Sequence, residues 1–211
     1  PAPEQMKRQI FQILHYIIEN VNDGKQRGRK LGQLKKFYAF CAGNGVQDIE
    51  LLEMDQLEAY KASIQQEQDP QRDFSIVDYV RQALFLEADG IRWDANVWYL
   101  KRFHLTDDRL NPANPIEKIS FLEVTSRQNR NLLKQYMKYA IGLTNLSLRS
   151  ICTEFWRIRR FLAEMQPEAD ICQVTAQQIE QELLKYDKEG QTVAYYNDIV
   201  MALTHFFRFL K

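Results

Sequence analysis

Apolar residues recur along this chain at helical spacing and hardly anywhere with the strict alternation of a half-buried strand. Met6, Ile10, Leu14, Ile17 and Val21 share one face and predict a helix over 4–21, broken at Asn22-Asp23-Gly24. A second helix is expected over 26–42, with Leu31, Leu34, Phe37, Tyr38 and Cys41 to one side. Gly43-Asn44-Gly45 ends it, because Gly and Asn tolerate the backbone of a helix C-terminus. A third spans 53–65. The polar run Gln65 to Pro70 is expected to be a linker or an exposed connection, and a fourth helix follows over 75–86. Between Gly90 and Pro115 the pattern loses its period: Trp93, Trp98, Tyr99 and Phe103 are followed by two Asn-Pro turn signals. The short run Ile119-Ser120-Phe121-Leu122 fits a strand or a docking segment equally.

From Ser126 the helical period returns four times. The first helix covers 126–141, with Leu132, Leu133, Tyr136, Met137 and Ala140 apolar. The second covers 147–165 with Ser147 as its N-cap. The third covers 175–186, opened by the capping box Thr175/Gln178 and stopped by Lys188-Glu189-Gly190. The fourth covers 192–210, capped by Thr192. The chain is therefore expected to be all-α, built of helical bundles. Residues 1–65 form an N-terminal helical domain, 66–125 a partly helical connecting region and 126–211 a second bundle. The two ends also match each other. Leu34-Lys35-Lys36-Phe37-Tyr38-Ala39 aligns with Ile158-Arg159-Arg160-Phe161-Leu162-Ala163. A loop later, Leu52 to Glu58 aligns with Val174 to Glu180. Duplication of one helical unit and convergence of short amphipathic helices both account for this.

Composition narrows the classes. The 211 residues are 45% hydrophobic and 27% charged, ordinary for a globular chain. No apolar run approaches the roughly 20 residues that span a bilayer. The chain opens on Pro1 and not on Met, as expected of a fragment or a processed product. Three cysteines, Cys41, Cys152 and Cys172, have neither disulfide parity nor zinc spacing and sit among apolar neighbours. They are expected to be buried thiols in a reducing compartment, with no metal and no cofactor. Net charge is zero, which by itself argues against a nucleic-acid binder, but the distribution is uneven. Residues 66–124 carry eleven acids against seven bases. Between 127 and 160 the bases are Arg127, Arg130, Lys134, Lys138, Arg149, Arg157, Arg159 and Arg160, and the one acid is Glu154. A second basic run is Lys25, Arg27, Arg29, Lys30, Lys35 and Lys36, with no acid between them.

On a helical wheel of 147–165, Ile151, Phe155, Ile158, Leu162 and Met165 cluster on one side, flanked by Leu148 and Cys152. Arg149, Thr153, Arg157 and Arg160 fall opposite them in a sector about 80° wide. A row of guanidinium groups suits phosphate, because each can make paired, permanently charged hydrogen bonds and displace counterions. A solvated charged face is the plainer account. Yet such a face normally interleaves acids at i,i+4, and here only Glu154 does so. The last helix places Asn197, Met201, His205 and Arg208 opposite its apolar side, and Asn can pair with adenine. The backbone NH groups opened at Thr192 suit a phosphate. His205-Phe206-Phe207-Arg208 spells a His-x-x-Arg box, but it ends a core helix with no Tyr after it and is read as coincidence. His15, His104 and His205 have no partner pattern, no phosphate loop or nucleophile elbow is present, and Asp107-Asp108 reads as a solvated pair.

Residues 126–211 resemble the core-binding domain of the tyrosine recombinase, or phage integrase, family. The resemblance rests on Leu133-Lys134-Gln135-Tyr136, on Phe155 through Phe161-Leu162, on Ile171-Cys172-Gln173-Val174-Thr175 leading to Ile179, and on the terminal Phe206-Phe207-Arg208-Phe209-Leu210. Trp98-Tyr99-Leu100 and Ile119-Ser120-Phe121 resemble the stretch that precedes this domain in transposon-type integrases. The resemblance implies a four-helix, SAM-like domain that clamps one side of a duplex recombination site, its second and fourth helices facing the major groove. It implies double-stranded DNA as partner, self-association on DNA with the full-length protein, and a role in DNA integration or transposition. No membrane and no small-molecule substrate enter. The family's catalytic Arg, Lys and His residues and its Tyr nucleophile are not matched, so no enzymatic activity is expected of this chain. The setting implied is cytoplasmic, at the nucleoid if the host is bacterial. The expected contacts are Arg127, Arg130, Lys134, Lys138, Arg149, Thr153, Arg157, Arg160, Thr192, Asn197 and Arg208, with Arg27, Arg29, Lys30, Lys35 and Lys36 as a second run. The alternative is a helical adaptor that binds protein, its basic faces merely solvated.

Overall fold

The computed structural model of the protein describes residues 3–165, 169–188 and 192–211. Over them the chain is all-α, with eight helices. It divides after Arg102 into two compact units, each holding four of the helices.

The first unit contains α1 (Glu4–Asn20), α2 (Gly24–Gly43), α3 (Met54–Ser63) and α4 (Pro70–Glu87). Helices α1, α2 and α4 pack on one another, and α3 lies against α4. Local signals set the ends. The Asp23 carboxylate accepts from the Gln26 amide at 2.6 Å and starts α2. The Asn44 amide closes α2 onto the Phe40 carbonyl, and Gly45 turns the chain away at φ 64°. Glu53 and Gln56 form the capping box of α3. Helix α4 begins five residues earlier than expected, because Asp69 caps the Arg72 amide and Pro70 stands in the first turn. Residues 65–69 of the polar stretch do connect α3 to α4, and only its last residue, Pro70, belongs to the helix. Met6, Ile13, Ile17, Leu34, Phe37, Cys41, Ile76, Val80 and Phe85 form the core. Tyr60 joins it with its ring 5.1 Å from both Phe37 and Phe40.

The stretch after α4 belongs to this unit as far as Arg102, so Trp93, Trp98 and Tyr99 fall in it and Phe103 does not. It includes β1 (Val97–Tyr99), wholly buried. Trp98 donates its indole NH to the Ala95 carbonyl, and the Tyr99 hydroxyl donates to Asp78 at 2.8 Å. Buried polar groups lock the turn between α2 and α3. Arg81 donates to the carbonyls of Ile49 and Leu52, and the Asn96 amide donates to those of Leu51 and Leu52. Arg92 reaches Asp48, Glu50 and Asp94 at 2.7–2.9 Å. Burial nevertheless pushes the Glu50 carboxyl up to about 7, with the like charges of Asp48 and Asp94 adding to it against Arg92 and Arg81.

The second unit contains β2 (Lys118–Ser120), α5 (Arg127–Leu143), α6 (Leu148–Glu164), α7 (Ala176–Lys188) and α8 (Val193–Leu210). Ile119-Ser120 is therefore strand, where the sequence left strand and docking segment open. Helix α6 packs on α5 and α8, α5 also meets α8, and α7 lies against α8. Ser126, Ser147 and Thr192 cap α5, α6 and α8, and Thr175 with Gln178 closes the capping box of α7. The stop expected at Lys188-Glu189-Gly190 falls mainly on residues outside those described. Leu133, Met137, Ile151, Phe155, Ile158, Phe161, Ile199 and Phe206 are buried, with the Phe121 ring edge-on to Phe155 at 5.1 Å. Arg109 satisfies the open carbonyls at the end of α5 and beyond, donating to Ile141 at 3.0 Å and Leu146 at 2.9 Å.

Cys41 and Cys152 are buried, and burial pushes both thiols up to about 12, where they stay protonated. Cys172 is a correction: it is exposed, carried outward by the turn at Asp170 that leads into α7. No helix among the described residues is long and apolar enough to cross a membrane.

Candidate nucleic-acid interface

The cations of the second unit divide into three groups. Arg127 and Lys138 are exposed on α5, eleven residues and so three full turns apart on one face. Arg149 is exposed in the first turn of α6, and Arg208 is exposed on α8. These four stand where a polyanion reaches them.

Arg130 and Lys134 do not. They are 3% and 7% exposed, a correction to the expectation that they face outward. The reason is their register. Residues 130, 133, 134, 137 and 141 form an i, i+3, i+4 stripe with Leu133, Met137 and Ile141, and that stripe is the core side of α5. The long apolar stem of each cation packs along it, and the Lys134 ammonium lies 5.7 Å from the centre of the Phe121 ring.

Arg157 and Arg160 form the third group, and their partners are protein. The Arg157 guanidinium lies 3.8 Å over the Tyr195 ring and 3.6 Å from Asp198. Arg160 donates to Glu164 at 2.7 Å and to the Tyr195 hydroxyl at 2.8 Å, and its guanidinium sits 4.7 Å from the centre of the Tyr186 ring. Burial and a hydrogen bond to Glu164 push the Tyr186 hydroxyl well above its ordinary value. The wheel placed Arg149, Thr153, Arg157 and Arg160 in one sector correctly. It did not foresee that the start of α8 would cover the C-terminal half of that sector. Thr153 is committed to its own helix, donating to the Arg149 carbonyl at 2.9 Å. Thr192 is exposed and accepts from the Tyr195 amide, and Asn197 is exposed on α8.

The single acid of the basic stretch turns inward. Glu154 accepts from the Tyr136 hydroxyl at 2.6 Å and faces His205 Nδ1 at 2.9 Å. His205 is therefore held by a carboxylate on α6, and this pair lines a groove of about 410 Å³ with Tyr139, Thr144, Arg208 and Phe209. Sequence reasoning missed the trio, because Tyr136, Glu154 and His205 come from three helices.

In the first unit the second basic run is also divided. Arg27 donates to the Val21 carbonyl at 2.8 Å. Lys30 lies 3.6 Å over the Tyr79 ring, and burial together with neighbouring Arg29 lowers its pKa. Lys36 bridges Glu67 and Asp73 at 2.7 and 2.9 Å. Arg29 and Lys35 are exposed. Comparison with protein-family models, with curated proteins and with solved structures gives no match.

Proposed function

We propose that the second unit binds double-stranded DNA through Arg127, Lys138, Arg149 and Arg208, as the DNA-clamping part of a tyrosine-recombinase-type protein acting in integration or transposition. The observation that carries this is the withdrawal of Glu154. Eight cations lie between 127 and 160, and the one acid among them is bound to Tyr136 and His205. The stretch thus presents Arg127, Lys138 and Arg149 at the surface while its one acid faces inward, a balance of charge that favours phosphate. Arg157 and Arg160 hold α8 against α6 in this scheme, and so set the position of Asn197 and Arg208. A cytoplasmic site of action belongs to the same proposal, in keeping with two buried thiols.

Fluorescence anisotropy with a mixed-sequence duplex of about 30 base pairs, titrated against salt, tests the proposal. Binding should weaken with salt, with a log–log slope of about −0.9 for each phosphate contact. The triple variant Arg127→Ala/Lys138→Ala/Arg149→Ala should lose affinity and flatten that slope by about 2 to 3. Absence of wild-type binding at low salt would overturn the proposal.

A further inference from the structure

Helices α1 and α2 carry a second apolar stripe besides the one that faces the core. On α1 it is Lys7, Phe11, Leu14 and Ile18, spaced four, three and four. On α2 it is Leu31, Lys35, Tyr38 and Ala42, with the same spacing. A 3.5-residue spacing is the seam along which a further helix packs. Six of these residues, all but Ile18 and Ala42, line a groove of about 390 Å³ together with Ile10 and Leu34, and its walls are apolar apart from Lys7, Lys35 and the Tyr38 hydroxyl. Phe11 is 64% exposed and Ile18 51% exposed, a large apolar cost on an otherwise polar surface. Beside the groove, Gly24, Gly28 and Gly32 recur every fourth residue, and a Cβ on any of them would meet nothing within 4 Å. The fold does not require these glycines, although each weakens the helix. Their absent side chains let another backbone come close to α2. From Gly24 to Gly43 the helix has six cations and no acid.

The complement lies on the same unit. Leu51, in the single turn before α3, and Met54, at the start of α3, are both 39% exposed. Asp55 and Glu58 are exposed beside Met54, at i+1 and i+4, so apolar contacts and acids share one ridge. The groove is apolar with cations at its edge, and the ridge is apolar with acids at its edge. We infer that a second copy of this chain occupies the groove, its α3 ridge laid along α1 and α2, with Asp55 and Glu58 against Lys7 and Lys35. Groove and ridge are different surfaces, so the contact is heterologous: each copy offers one of each, and association continues as a ring or a filament. The inference is independent of DNA binding.

Sedimentation equilibrium of the full chain without DNA tests it, at concentrations up to about 100 µM, well above a Kd of about 10 µM. The wild type should show an average mass above 25.0 kDa that rises with concentration. Lys7→Glu/Lys35→Glu spoils only the groove, and Asp55→Lys/Glu58→Lys spoils only the ridge. All four residues are exposed, so circular dichroism should match the wild type. Each variant alone should sediment as a monomer. Their equimolar mixture should associate again, since each groove then meets a ridge of opposite charge. A monomeric wild type across the range, a variant that still associates, or a mixture that stays monomeric would each overturn the inference. The first of these outcomes would leave the groove to an acidic helix of another protein.

Discussion

If Arg160 holds α8 in place, Arg160→Ala must destabilise the second unit far more than its partial exposure suggests. Three contacts of the side chain carry the estimate. Its ion pair with Glu164 is an i,i+4 surface contact, worth about 0.3–0.5 kcal/mol at the exposure of both groups. The charged hydrogen bond to the Tyr195 hydroxyl adds about 1 kcal/mol. The stack on the Tyr186 ring adds about 0.5–1 kcal/mol, because one face of the guanidinium is shielded from water. Together they amount to about 2 kcal/mol, enough to lower the midpoint of a unit this size by about 10 °C. Urea and thermal unfolding followed by circular dichroism read the change directly. Arg160→Lys keeps the charge but loses the planar fork, and should recover less than half of it. Combining Arg160→Ala with Tyr195→Phe should cost about 1 kcal/mol less than the two separate losses summed, since the shared hydrogen bond is lost only once. Stability of Arg160→Ala within about 0.5 kcal/mol of wild type, the ordinary range of a surface substitution, would refute the clamp.

The remaining predictions probe other parts of the molecule. Arg149→Ala should leave stability within about 0.5 kcal/mol while weakening DNA binding, so melting and anisotropy should separate this residue from Arg160. Gly28→Ala and Gly32→Ala should each raise the stability of the first unit by about 0.8–1 kcal/mol, as a chemical melt would show; a loss instead would mean that the fold needs the glycines after all. Glu50 gives a pH dependence. Its folded pKa of about 7 lies above the ordinary 4.5, so between those values the folded state binds more protons than the unfolded one and stability falls as pH rises. The effect is at most about 3 kcal/mol. Glu50→Gln cannot ionise and should flatten that slope; a wild type whose melting point climbs from pH 5 to 7 in parallel with the variant would contradict the assignment.

Helix ends were the most legible feature of the sequence. Ser126, Ser147, Thr175 with Gln178, and Thr192 all cap as their side chains suggest, since a cap is a contact within three residues. The start of α4 is equally local: Asp69 caps it and Pro70 opens it, at the end of a polar connection. Arg130 and Lys134 carried a readable signal too: their register with Leu133, Met137 and Ile141 is a core stripe, and only their charge pointed outward. What lay beyond local pattern was long-range. Arg81 and Asn96 close the turn before α3 through hydrogen bonds spanning 29 to 45 residues, and nothing periodic announces them. The wheel of α6 likewise shows which residues share a sector but not which neighbour covers it. That Tyr195 and Asp198 lie against Arg157 and Arg160 is a consequence of how α8 returns.

That return bears on whether the two units are copies. A shift of 124 positions sets Leu34 on Ile158, Phe37 on Phe161 and Cys41 on Met165, and all six are buried. Convergent amphipathic helices would give as much, because any helix in a bundle needs such a stripe. The polar positions are harder to obtain by convergence. The same shift sets Gln33 on Arg157 and Lys36 on Arg160. Gln33 donates to the Arg72 carbonyl and to Asp73, and Lys36 pairs with Asp73, all in the first turn of α4. Arg157 and Arg160 grip Tyr195 and Asp198 in the opening turns of α8. In each unit, then, two polar positions of the second helix hold the start of the fourth. The third helix opens on a capping box in both, Glu53 with Gln56 and Thr175 with Gln178, and rests on the fourth in both. A pair of polar contacts repeated at matched positions is what duplication of one helical unit would leave. The same register sorts the cations. Lys36 and Arg160 stand at a position that serves the scaffold in both units, whereas Arg149 sets its charge where the shifted register of α2 has Lys25, exposed in the first turn. The first turn of the second helix is thus cationic and open in both units, and it is there that the charge is free of any duty to the fourth helix.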